Sequence, residues 1–395
     1  MSSPSDKIPS NSALESTSRF TKRKRDETQS TDTATDTQTL ASLPAISQVK
    51  SDINPNFDDL AAAYPDFKVE WHKLRHRQKS KIGKKDASSF SANVDFDFNL
   101  ALTRAILDKH FQLNLKCMPK GYLCPPVPNR LNYVSWLKDL LRESSHEAGQ
   151  YFESPTSTPI VRRGLDLGTG ASCIYPLLLT RREFTGGKPW QFLGTDIDPY
   201  SIKCAQENIV ANLLQNEIKL AIVSPREGGG RTTAITDVTK LKEMAVNNNA
   251  HQREITTPLY TAMKAAHDVF SEDEIRFDFC MTNPPFYSNT DEATMPRSGD
   301  ERNRTDMTFN ESVYPGGEVG FALDMMHDSF AIRNEITWYT LMLSKKSSLI
   351  FLEKELATLG FHRGSIRTTE FVQGKMIRWG LAWTFLSSSP RSPGK

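Results

Sequence analysis

From residue 161 onward, short apolar runs alternate with stretches of helical periodicity. "VRRGLDLG", "WQFLGTDID" and "IKLAIVS" are each brief and bounded by turn residues, with helical patterns after the first two. "RFDFCMTN", "TWYTLMLS" and the longer "MIRWGLAWTFL" continue the series. Strands joined through helices cannot pair as hairpins, so the connections are right-handed crossovers and the sheet is largely parallel. The expectation is an α/β protein whose ligand site lies at the carboxyl ends of its strands.

Upstream, "NLALTRAILDKHF" and "PNRLNYVSWLKDLL" carry apolar residues at helical spacing, separated by the proline-rich "CPPVP". Residues 1–50 are rich in Ser, Thr, Asp and Gln, bury little apolar surface, and are expected to be a disordered tail. Its Lys22, Arg23, Lys24 and Arg25 form either a nuclear-import signal or a solvated charge run. Residues 51–150 make a basic, helical region, and residues 224–274, polar with "EGGGR" and "NNN", make a surface insertion. Within the basic region Lys68, Lys73, Arg75, Arg77, Lys79, Lys81, Lys84 and Lys85 face a single acid, Glu70. A solvated loop is one reading. The interleaved Trp71, His72 and His76 support the other, a nucleic-acid grip in which rings stack on bases while cations meet phosphates.

Composition removes several classes. The formal charge of +2 over 395 residues gives no global bias toward an acidic partner. Five cysteines without a Cys-x-x-Cys pair argue against a disulfide frame and against a zinc site, and no metal is expected. No apolar run reaches the roughly 18 residues needed to cross a bilayer. A soluble, intracellular protein is the expectation.

The first strand ends in "LDLGTGASC", which sets Asp166, Gly168 and Gly170 at the turn into a helix. Glycines there let the backbone turn sharply and approach a ligand. The third glycine of the dinucleotide fingerprint is replaced by Cys173, which disfavours a diphosphate. Asp196, at the end of the second strand, is placed to accept hydrogen bonds from ribose hydroxyls. A helix N-cap is the alternative for Asp196, and Asp198, followed by Pro199, suits that role better. These residues indicate an adenosine-containing ligand.

After the fourth strand comes "NPPF", Asn283, Pro284, Pro285 and Phe286. With the "DxGxG" pattern it resembles the S-adenosylmethionine-dependent methyltransferases that modify a nitrogen conjugated to a flat system. The adenine amine is a poor nucleophile because its lone pair is delocalised into the ring. Two acceptors, the Asn283 side-chain oxygen and the Pro284 carbonyl, would hold its hydrogens and turn the lone pair out of plane. Proline fixes φ, so the carbonyl direction is set in advance. Phe286 offers a face for the base.

Six separated blocks, "LTRAIL", "PPVPNRLNYVSWLKDLL", "GLDLGTGASCIYPLL", "FDFCMTNPPF", "HDSFAIRNEITWYTLMLSKKSSL" and "EFVQGKMIRWGLAWTF", resemble the methyltransferase-like protein 16 family, adenine N(6)-methyltransferases of U6 small nuclear RNA. The resemblance implies a Rossmann-like class I fold with a mostly parallel seven-stranded sheet in residues 151–390, a small N-terminal RNA-binding region, and a substrate loop at 287–318. It implies S-adenosylmethionine as cofactor, held by Arg130, Asp166, Gly168, Gly170, Ser172, Asp196, Thr233 and Asn283. RNA would be held by Lys375 and Arg378 together with the basic block, in a monomeric, nuclear or cytoplasmic enzyme. Asp196 stands where the family has Glu, the insertion is longer than the family loop holding the Thr233 position, and the chain stops at Lys395 without the further C-terminal RNA-binding domain of the animal members. The competing readings are a ribosomal RNA adenine methyltransferase, a protein glutamine methyltransferase of the same fold, and a non-catalytic RNA-binding protein.

Overall fold

A computed structural model describes residues 47–49, 53, 55–81, 96–147, 161–181, 190–223, 257–271, 275–289, 291–292, 312–374 and 376–386. The apolar runs are strands: β2 (Arg162–Leu167), β3 (Trp190–Asp196), β4 (Ile218–Ile222), β5 (Phe277–Thr282), β6 (Ile336–Leu343) and β8 (Met376–Trp383). Two more join them, β7 (Ile366–Gln373) and the short β1 (Ser47–Val49). Among the described residues these make one eight-stranded sheet in the order β1-β7-β8-β6-β5-β2-β3-β4. Every pairing is parallel except those of β8 with β6 and β7. The chain runs outward from β2 to β3 and β4, then returns to β5 and β6 on the other side of β2. That reversal opens a crevice above the neighbouring carboxyl ends of β2 and β5.

The sheet thus has one strand more than the seven expected. Ser47–Val49 falls in the stretch assigned to the tail. Three residues carry no periodicity that marks a strand; their order comes from backbone pairing with Thr369, Glu370 and Phe371 of β7.

Helices cover both faces. On one lie α1 (Phe57–Ala63), α2 (Pro65–Lys81), α3 (Phe96–Phe111), α4 (Val127–Glu147), α5 (Ile174–Leu179) and α6 (Pro199–Ala211). On the other lie α7 (Pro258–Val269), α8 (Gly317–Ala331) and α9 (Lys346–Thr358). β6 serves both layers, giving Trp338 and Met342 to the first core and Tyr339, Leu341 and Leu343 to the second. Helix α7 lies inside the span read as a surface insertion. Its apolar stripe of Leu259, Ala262, Met263 and Ala266 is buried, so it is a packed crossover helix. The stripe follows helical spacing in the sequence, but the polar residues that precede it gave the whole span the character of an insertion.

The basic block is helical as far as Lys81. Phe67 is buried, and Trp71 packs its ring among Phe57, Phe67 and Phe98 while its Nε1 donates to Asp58 at 3.0 Å. Trp71 is therefore a core contact, not a platform for a base. A cation-rich helix that sets Phe67 and Trp71 against an aromatic cluster explains the interleaving.

The N-terminal helices share the sheet's core. Tyr133 of α4 places its hydroxyl 2.7 Å from Thr340 Oγ1, and the Trp136 ring lies 5.7 Å from that of Phe371. Beyond α3, Asn208 of α6 and Asn212, which caps that helix's C-terminal end, grip an extended segment. Asn208 accepts from Cys117 N at 2.8 Å and donates to Cys117 O and Ala171 O, and Asn212 does the same at Asn114 N and O. The side chains of Cys117 and Cys204 meet in the same place, with Cα atoms 5.2 Å apart, a single pairing where cysteine spacing argued against a frame. Their separation of 87 positions hid the pairing.

Candidate active site

The turn after β2 is shaped by its glycines. Gly168 and Gly170 have φ of +70° and +64°, and a Cβ on either would meet nothing within 4 Å, so open space lies over the turn. Gly168 N and Thr169 N both donate to Thr195 O at 2.9 Å, tying the turn to the end of β3. Cys173, in the place of a third glycine, holds φ of +51° and is buried. Asp196 accepts from Gly170 N through Oδ2 and from Asp198 N through Oδ1, each at 2.9 Å. The expected ribose acceptor therefore also braces the glycine turn, with lone pairs left over for a ligand. Asp198 caps α6 by accepting from Tyr200 N and Ser201 N, as Pro199 suggested.

Behind the turn sits a buried polar group. Asp166 is 1% exposed and accepts from Thr169 Oγ1 at 2.8 Å. Burial pushes its carboxyl up to about 7, with Thr169 and Arg130 opposing and Asp196 adding. Arg130, near the start of α4, is 6% exposed; its Nη1 donates to the Tyr175 hydroxyl at 3.1 Å and its guanidinium lies over the Tyr175 ring. Among the described residues, Asp166 Oδ1 and Arg130 Nε are buried without a hydrogen-bond partner. Buried polar atoms are seldom left so.

The second half of the site follows β5. Thr282 Oγ1 donates to Leu167 O at 2.9 Å, locking the ends of β5 and β2 together just before Asn283. Pro284 is buried, and Asn283, Pro285 and Phe286 are half-buried. Among the described residues no hydrogen bond engages the Asn283 carboxamide. The Arg378 guanidinium carbon stands 5.9 Å from the Phe286 ring centroid. Tyr287 is stitched to residues 312–314: its N donates to Ser312 O, and its carbonyl accepts from Tyr314 N, both at 2.9 Å. Gly317, with φ of +61°, lies beneath Phe286, where a Cβ would come 3.0 Å from Phe286 O. Glu318 accepts from Ser344 N and Lys345 N, anchoring the start of α8 to the end of β6. A separate groove of about 820 Å³, among Tyr64, Phe67, Arg104 and Leu113, contains none of these residues.

The structure brings Arg130, Asp166, Gly168, Gly170, Ser172, Asp196 and Asn283 to one edge of the sheet, with Pro284, Pro285, Phe286 and Arg378. Thr233, Lys84, Lys85 and Lys375 lie outside the described residues, as do the side chains of Lys79 and Lys81. Lys73, Arg75 and Arg77 are exposed on α2, yet Lys73 pairs with Glu70 at 2.7 Å and Arg75 with Asp58 at 3.1 Å. Sequence reasoning missed Tyr175, Tyr133, Gly317 and Glu318. Gly316-Gly317 carried a visible signal, a glycine pair before a helix; the tyrosines carried none, since their roles depend on contacts distant in the chain.

A glycine turn after the first central strand, an acid after the second and an Asn-Pro-Pro-Phe turn after the neighbouring strand define a methyltransferase type of α/β protein. The chain belongs to the RNA methyltransferase family Methyltransf_10, which it matches over residues 47–228 and 232–387. It is 34% identical over 349 residues to the human RNA N(6)-adenosine-methyltransferase METTL16, covering 86% of this chain and 50% of that protein. To the U6 small nuclear RNA (adenine-(43)-N(6))-methyltransferase of Dictyostelium discoideum it is 31% identical, covering 85% and 54%. The chain thus spans about half the length of these curated relatives. The crystal structure of the N-terminal domain of human METTL16 in complex with SAH superposes with a TM-score of 0.54 at 30% identity, covering 85% of this chain and 96% of that one.

Proposed function

We propose that the chain transfers a methyl group from S-adenosylmethionine to the exocyclic amine of an adenosine in RNA, with U6 small nuclear RNA as the substrate. The observation that carries the reading is the Asn283-Pro284-Pro285-Phe286 turn, locked by Thr282 to the end of β2 beside the glycine turn. The names of the two relatives support the adenosine and the U6 RNA.

The residues fit the cofactor. Its methionyl end carries a carboxylate and an ammonium, which suit the unpartnered Arg130 Nε and Asp166 Oδ1 respectively. Asp196 would accept from the ribose, and the open space over Gly168 and Gly170 would admit the ligand close to the backbone. When bound, S-adenosylmethionine supplies an electrophilic methyl on a sulfonium, so no strong base is needed. The chain's part is orientation: Asn283 Oδ1 and the Pro284 carbonyl hold the two amine hydrogens, and Phe286 stacks on the base. The thermodynamic gain from such stacking is about 1–3 kcal/mol.

Basic residues on α2 and at the β7–β8 turn support RNA over a protein substrate, and the Lys22–Arg25 cluster supports a nuclear site of action. The test is incubation of the purified protein with labelled S-adenosylmethionine and total RNA, followed by sizing of the labelled species and nucleoside analysis. Label in N(6)-methyladenosine of U6-sized RNA is the expected result. Label in ribosomal RNA, or in protein, would replace the substrate proposed.

A further inference from the structure

The β7–β8 hairpin runs past the edge of the sheet. In the pairing of β8 with β6, Trp379 faces Leu343, the last residue of β6, so Met376, Ile377 and Arg378 lie beyond it. These three stay paired with β7, through Gln373, Val372 and Phe371. A two-stranded ribbon, turned at Gly374 with φ of +58°, therefore projects from the carboxyl edge that also carries Asn283 and the glycine turn. At a rise of about 3.3 Å per residue the overhang is roughly 10 Å.

Beside the Gln373-Gly374-Lys375 turn of this ribbon stand two apolar residues. Met376 is 46% exposed and Ile377 39%, and strand alternation sends them to opposite faces. Arg378 shares a face with Met376, and its guanidinium lies over Phe286. Asn129, one residue before Arg130 on α4, donates to Met376 Sδ at 3.9 Å, which ties the methionine to that helix. Two large apolar side chains thus stand in water within one or two residues of the cation that covers the reaction turn.

A base cannot reach a site behind Phe286 while it remains stacked in a helix; it has to swing out, and the gap it leaves costs stacking on both sides. Apolar side chains inserted between base steps fill such gaps, and Met and Ile are among those used. We propose that Met376 and Ile377 form a wedge that enters the stack of a structured RNA beside the target adenosine and takes up the space it vacates. The inference rests on the RNA-adenosine function proposed above, and its occupant is the base stack itself, favoured over an apolar protein partner by the adjoining Arg378 and Phe286.

The test compares two RNAs and two double variants. One RNA is a U6 hairpin with the target adenosine in its folded context; the other is a short unstructured RNA with the same flanking sequence. With Met376→Ser/Ile377→Ser, kcat/KM on the hairpin is expected to fall by about tenfold or more, the scale of one lost stacking contact. On the unstructured RNA it is expected to stay within about twofold, since no stack needs opening. Both positions are exposed, so Tm and S-adenosylmethionine affinity should match the parent protein. Met376→Leu/Ile377→Leu, which keeps the apolar volume, should retain hairpin activity. Equal losses on both RNAs, no loss on the hairpin, or loss in the leucine variant would overturn the wedge. Parent protein that methylates neither RNA overturns instead the function on which the wedge depends.

Discussion

A carboxyl buried as fully as Asp166, with one hydroxyl as its partner, holds a proton more readily than one in water, and this couples the cofactor to pH. Unfolded, the group ionises near pH 3.9; folded, near 7. Between those values the folded chain keeps a proton that the unfolded chain has released. The stability this group contributes is complete below about pH 4 and is lost as pH rises toward about 7. S-adenosylmethionine carries ammonium and sulfonium charges and favours the ionised carboxylate, so binding below about pH 7 should release a proton, and affinity should rise by up to about tenfold per pH unit. Calorimetry in buffers of different ionisation enthalpy measures both quantities, and Asp166→Asn should abolish the slope; a slope that survives would assign the proton to another group. Asn283 makes the opposite kind of prediction. Its carboxamide has no described partner within the chain, so Asn283→Ala should leave folding and cofactor affinity near the parent values and lower turnover by about a hundredfold or more, the scale of one oriented polar group. Near-normal methyl transfer would remove Asn283 from the reaction. Both residues were legible in the sequence because short motifs expose them. Asp196 was only half legible: its use as a brace for Gly170 depends on how β3 lies beside β2.

The turn that carries Phe286 rests against the start of α8. Gly317 passes beneath Phe286 with positive φ, and a methyl group there would push on Phe286 O. Gly316 also has positive φ, but its nearest neighbour is Gly320 in the next turn of α8. Alanine at either site carries a similar backbone strain, of order 1–3 kcal/mol. Gly316→Ala and Gly317→Ala should therefore lower Tm alike, while turnover falls in Gly317→Ala and is largely kept in Gly316→Ala. Equal turnover in the two variants would show that the helix start does not set the turn. At this scale the sequence was readable where an element has one environment. β2, β3 and β5 are largely buried on both faces and read as short runs with an apolar middle between turn residues. β7 was harder: "IRTTEFVQ" is largely polar, with Thr369 and Phe371 as its buried residues. α2 was hard in another way, since seventeen residues weighted with cations gave a weak apolar stripe and its helical state depends on Phe67 and Trp71 meeting Phe57 and Phe98.

Across the molecule, the boundary drawn at residue 150 separates residues that fold together. Contacts gather Ile46–Lys395 into one compact unit. From α4 alone Tyr133, Val134, Trp136, Leu137, Leu140 and Leu141 are buried in the core beneath the sheet. Each such side chain is worth about 1.5–3 kcal/mol on burial, so losing several of them removes an amount comparable to the roughly 5–15 kcal/mol net by which domains are stable. A fragment beginning at residue 151 should accordingly show no cooperative urea transition by circular dichroism, whereas the full chain should show one. A sharp transition in the fragment would make the N-terminal helices a separable domain. The sequence could locate those helices but not their partner, because Tyr133 meets Thr340 and Trp136 meets Phe371 across more than two hundred positions. The short pairing of Ser47–Val49 with β7 has a consequence of another kind. A strand at the margin of a sheet offers a row of free N–H and C=O groups to any extended chain that drifts past, and β7 is eight residues long. By laying three residues along it, the chain fills part of that row with its own backbone, so a protein shortened past Val49 would expose a sticky flank and be drawn toward self-association in solution.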